Sequence, residues 1–112
     1  MRVSEALQSG VEGEKIVVDG IFVMERGVGY FCENIEDIEK KERSVLVDTE
    51  NLEPLLLSSV PAYAGGKFSY CDKAEISGIF IRQHNGYFNF SIINVDNFIV
   101  YKYGDAIRVK VS

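Results

Sequence analysis

Two stretches of the chain echo one another: VVDGIFV at 17–23 and EISGIFI at 75–81. Each is a run of β-branched and aromatic residues, the types that suit a pleated, half-buried surface. Each also carries a glycine at its centre, Gly20 and Gly78. Glycine weakens a strand interior and is kept there where the strand bends, bulges or meets another backbone closely. Two long strands that each need such a point fit a strongly curved sheet better than a flat one. We expect residues 15–24 and 74–82 to be strands of such a sheet, each bent near its glycine.

The rest of the chain supplies partners for these two strands. SEALQ (4–8) reads as a short helical turn, with Ser4 as its cap and Gly10 as its stop. In EKIVVDGIFVME (14–25), Ile16, Val18, Phe22 and Met24 share one face with Gly20. Val17, Ile21 and Val23 share the other face with Asp19, so burial on both sides is expected. RGVG (26–29) is a turn, YFCEN (30–34) a second strand, and IEDIEKKER (35–43) a charged connection with helical spacing of Ile35 and Ile38. SVLVD (44–48) is a short third strand. TENLEPLLLSS (49–59) is a helix with Asp48 or Thr49 near its start, and Pro54 confines its regular part to begin near Glu53. After the loop VPAYAGG (60–66) comes a fourth strand, 67–83, with a break expected near Asp72. Asn85-Gly86 signals a hairpin. The return strand is 87–103, Gly104-Asp105 turns again, and AIRVKV (106–111) ends the chain as an extra strand.

This order is strand, strand, strand, helix, strand, strand, without βαβ repetition, which argues against a parallel sheet. It resembles the OB-fold (oligonucleotide/oligosaccharide-binding) superfamily over residues 10–103, through GEKIVVDGIFV…GYF, VLVD, a helix, GGKF…AEISGIFI and FSIINV. The resemblance implies a mainly β, OB-like five-stranded Greek-key barrel spanning 1–112 as a single domain. One helix would lie between strands 3 and 4, and the extra C-terminal strand would be added outside. It also implies that strand one, curved at Gly20, pairs with strand four, curved at Gly78.

The length, 112 residues, and a composition of 46% hydrophobic and 26% charged residues fit one globular domain that needs no metal or disulfide. No apolar run approaches the ~20 residues of a membrane span, and the N-terminus lacks an apolar signal-like region. Cys32 and Cys71 read as reduced thiols of a cytoplasmic protein. Net charge is −5. Residues 33–53 hold eight acids and three bases, and the nine acids and nine bases elsewhere cancel, so this stretch carries the whole imbalance. Such a patch repels phosphate backbones and attracts basic partners.

No catalytic constellation stands out. His84 is the only histidine, and with Cys32 and Cys71 it falls short of a zinc ligand set. YAGGKF lacks the Ser/Thr after Lys67 that a phosphate loop needs, and ERGVGYF lies between two strands. No cofactor, metal or catalytic residue is expected. Two binding readings follow. In the first, Glu33, Glu36, Asp37, Glu39 and Glu42, with Tyr30, bind a basic protein partner in the manner of an inhibitor or immunity protein. In the alternative, Phe31, Tyr87, Phe88 and Arg82 bind single-stranded nucleic acid or oligosaccharide on an aromatic barrel face. The acidic segment stands against that alternative, because the resemblance puts it beside the usual ligand face.

Overall fold

The computed structural model describes residues 1–111. Its elements are α1 (Val3–Ser9), β1 (Lys15–Glu25), β2 (Val28–Cys32), β3 (Val45–Val47), α2 (Leu52–Ser59), β4 (Tyr70–Ile81), β5 (Phe90–Lys102) and β6 (Asp105–Arg108). The strands run in the order β3-β2-β1-β4-β5-β6. A parallel pairing of β3 with β5 closes the first five into a barrel, through Val45–Phe90, Leu46–Ser91 and Val47–Ile92. β6 bonds to β5 outside that closure. This is the OB-like arrangement, with α2 between β3 and β4. No helix among the described residues is long and apolar enough to cross a membrane.

The expected neighbours are neighbours. β1 pairs antiparallel with β4 from Lys15–Ile79 to Met24–Tyr70. The two glycines do not face each other: Gly20 lies opposite Ala74, and Gly78 opposite Ile16. They solve different problems. A Cβ on Gly78 would stand 2.6 Å from the Ile93 carbonyl oxygen and 3.2 Å from Val95 Cα. Here the β4–β5 ladder slips, with Ser77 opposite Asn97 but Ile79 opposite Ile93, so β5 bulges over Gly78. Asn94, with φ 49°, turns the bulged strand. Gly20 shows no slip; it gives space to a carbonyl, since its Cβ would stand 2.7 Å from the Cys32 oxygen. It also marks where β2 joins β1, because that pairing starts at Ile21–Cys32.

Alternation along the strands fills the barrel. Ile16, Val18, Phe22 and Met24 from β1 meet Phe31, Tyr70, Ile76, Phe80, Ile92 and Phe98 inside. Phe22 sits edge-on to Phe98 at 5.0 Å and 5.5 Å from Phe31, the tilted geometries that aromatic rings favour. Val3 and Ala6 of α1 and Leu52 and Leu56 of α2 join this core. The outer face of β1 divides in two: Val17 is exposed, whereas Val23 is covered. Burial on both sides therefore holds only for the C-terminal half of the strand.

Several boundaries differ from the sequence reading. The 35–43 connection is two 3-10 turns, Ile35–Asp37 and Lys41–Arg43, not one helix. β4 runs unbroken through Asp72. The return strand begins at Phe90, because the tight turn at 85–88 belongs to an excursion that ends in an isolated Asn85–Phe88 bridge. The last strand stops at Arg108, and its turn is centred on Tyr103-Gly104, both with positive φ. The cap of α1 is not Ser4: Glu5 accepts from the Arg2 amide, while the Ser4 amide and hydroxyl donate to Glu33 at 3.1 and 2.8 Å.

Candidate functional site

Tyr30 and Phe31 are adjacent on β2, so their side chains point to opposite faces. Phe31 is inside the barrel. Tyr30 points outward yet is only 1% exposed, because the connection 33–44 and the loop 82–89 close over it. Phe88 packs on the Tyr30 ring at 5.2 Å, and Ile38, Leu46, Phe68, Val23, Cys32 and Cys71 complete a second apolar cluster. The Tyr30 hydroxyl donates to the Ile38 carbonyl at 2.8 Å. Burial, then the charges of Cys32, Glu25 and Glu39, push its ionisation well above the usual phenol range. Tyr30 is thus a post that fastens the acidic connection to the barrel.

Above this cluster the two loops leave a cleft of about 580 Å³, lined by Glu39, Lys41, Glu42, His84, Gly86, Tyr87 and Asn89. A second hollow of about 350 Å³ shares Lys41, Gly86 and Tyr87 with it and reaches Arg26 and Val28 in the β1–β2 turn. Tyr87 stands at the tip, 78% exposed, because Gly86 takes φ 63° and aims the next residue outward. Lys41 Nζ lies 5.4 Å from the Tyr87 ring centre and 6.0 Å from that of Tyr30, within cation–π reach of both. His84 Nδ1 is 3.1 Å from Asn89 Oδ1.

The structure sorts the expected site residues. Glu33 serves α1, through Ser4 and an Arg2 contact at 3.6 Å. Asp37 accepts from the Asn34 amide and pairs with Lys40 at 3.5 Å. Glu39 accepts from Lys67 at 3.1 Å, and Glu25 lies 3.8 Å from the same ammonium. Glu36 and Glu42 are exposed and, among the described residues, join no ion pair. Of the aromatic set, Tyr87 alone presents an open face; Phe88 is buried on Tyr30 and Phe31 is in the core. Arg82 clamps the fold: its guanidinium donates to the Gly10 carbonyl at 2.7 Å and lies 5.2 Å from the Phe80 ring centre.

Sequence reasoning passed over Lys41 and Lys67, whose roles depend on loop positions that no periodicity encodes. It also passed over Asp72 and Lys102, a buried ion pair at 3.1 Å. There a signal existed: the alternation that sends Tyr70, Ala74, Phe98 and Val100 inward sends these two inward as well. Comparison of the chain with protein-family models, curated proteins and solved structures finds no match.

Proposed function

We propose that this domain is a small non-enzymatic binding module of the cytoplasm that takes a basic protein partner on its acidic face. The cleft between 33–44 and 82–89 carries the reading. Its Glu39 and Glu42 carboxylates stand with an exposed tyrosine ring, Tyr87. Carboxylates beside an open aromatic face are what an arginine or lysine side chain requires: charge-assisted hydrogen bonds and a surface to stack upon. Glu36, which joins no ion pair among the described residues, adds attraction at longer range. A partner of this kind would include an enzyme that handles nucleic acid, with the acidic face occupying its positive site as an inhibitor or immunity protein does. Reversing Glu36, Asp37, Glu39 and Glu42 to lysine should abolish binding to a fluorescein-labelled lysine-rich peptide. Undiminished binding by that variant would remove the acidic face from consideration.

A second reading has one specific observation behind it. Lys41 and Arg26 line the smaller hollow with Tyr87, which is the outline of a single-strand or oligosaccharide site. The closed strand order, with α2 between β3 and β4, supports kinship with the OB-fold superfamily and hence this use of the face. Against it, fold does not fix function, and Glu25, Glu39 and Glu42 surround the same two cations.

A further inference from the structure

Residues 61–69 join α2 to β4 and are exposed except for Phe68 and Ser69, which are half-buried. The backbone closes on itself, with the Tyr63 amide donating to Ser69 and the Ser69 amide to Met24, each at 2.9 Å. Three side chains then fasten the loop to the barrel. Phe68 joins the outer apolar cluster. Lys67 bridges Glu39 at 3.1 Å and Glu25 at 3.8 Å, and these two carboxylates, the Glu39 hydrogen bond first, raise its ionisation above the usual ammonium range. Tyr63 lies over the buried ion pair: its hydroxyl donates to Asp72 Oδ1 at 3.0 Å, and its ring centre is 3.7 Å from Lys102 Nζ. Below it, Lys102 and Asp72 side chains are 1% and 7% exposed, with the Tyr70 ring 5.3 Å and the Tyr103 ring 5.8 Å from the ammonium.

We propose that 61–69 is a strap, latched by Tyr63 over the Lys102–Asp72 pair, whose closed position holds Lys67 on Glu39 and Glu25 and so masks Glu39 of the acidic face together with the neighbouring Glu25. A segment with few buried contacts is drawn from the low-stability end of a fold. Here one phenol seals a buried charge pair that is strongly hydrated once opened. Opening the latch lifts Lys67 with it and leaves Glu39 and Glu25 unpaired. A basic partner and the closed strap therefore compete for the same oxygens. The masking step rests on the acidic face being the binding surface; the latch does not.

Amine acetylation read by mass spectrometry tests the latch without any partner. Lys102 in the intact protein should react more than about tenfold more slowly than exposed Lys73 and Lys110. Tyr63→Ala should remove that protection, and Tyr63→Phe, which keeps the ring but cannot donate to Asp72, should fall between. Unfolding is controlled for by requiring an unchanged far-UV spectrum. Lys102 reacting like Lys73 in the wild type, or staying protected in Tyr63→Ala, overturns the strap. Tyr63→Ala alters no charge, so its affinity for a labelled lysine-rich peptide should rise about threefold through unmasking alone. A rise in labelling with no rise in affinity overturns the masking. Failure of every variant to bind the peptide instead sinks the acidic-face reading and leaves the latch to the labelling result.

Discussion

At the scale of single residues, the two strand glycines are the points where the fold is least forgiving. A methyl at Gly78 meets the Ile93 carbonyl at 2.6 Å, and one at Gly20 meets the Cys32 carbonyl at 2.7 Å, both backbone atoms that cannot rotate away. Gly78→Ala and Gly20→Ala should each cost about 1–3 kcal/mol in urea denaturation, from overpacking. Gly66→Ala, whose Cβ meets nothing closer than 3.8 Å, should stay within about 0.5 kcal/mol of wild type. The buried thiol of Cys32 gives a second residue-scale prediction. Burial, with Cys71 and Asp37 adding, pushes its ionisation up to about 12. The folded state thus holds this proton when the unfolded chain has lost it. Its contribution is complete below the unfolded value near 9 and is lost as pH rises to about 12, with a slope of about 1.4 kcal/mol per pH unit. Urea midpoints of wild type and Cys32→Ala should therefore converge across that window. Half-buried Cys71 should also react with a disulfide reagent before Cys32 does.

At the scale of elements, β4 and β5 carry the buried Lys102–Asp72 pair, and removing one partner strands the other charge. Lys102→Met should cost about 3–5 kcal/mol, whereas Lys102→Met with Asp72→Leu should cost less than that single change. A double-mutant cycle by denaturation reads the difference. The β1–β2 hairpin offers the opposite sign. Arg26 occupies a left-handed conformation, φ 53°, that asparagine adopts more readily. Arg26→Asn should raise stability by about 0.5–1 kcal/mol. The elements themselves were largely legible because β1 and β4 alternate in period two and α2, Leu52–Ser59, carries Pro54 in its first turn, where proline is tolerated. The β5 boundary was not. Asn85-Gly86 predicts a turn, and a turn forms, but nothing local says that pairing with β4 resumes only at Ser91. That is decided by where the bulge at Asn94 and the β3 pairing at Phe90 pin the strand.

At the scale of the whole molecule, the echo of VVDGIFV and EISGIFI encodes curvature: it names two adjacent strands of one closed barrel and the points where neighbouring backbone presses on them. The site was legible only in charge. A run of acids can be read from residues 33–53, but which acids are free cannot, because Arg2 and Lys67 come from distant parts of the chain to engage Glu33 and Glu39. The aromatic candidates divide for a similar reason. Tyr30 reads as part of the partner face and Phe88 as part of a stacking platform in sequence, yet they are spent on each other under the loops. What remains outside is an acidic cleft with one open ring. Its preference can be measured directly by anisotropy titration with a labelled lysine-rich peptide and a labelled single-stranded oligonucleotide, each at about 50 and about 200 mM salt. Binding of the peptide tighter than about 100 μM, weakened by salt, with none of the oligonucleotide, is the predicted result. Salt-dependent binding of the oligonucleotide with none of the peptide would contradict it.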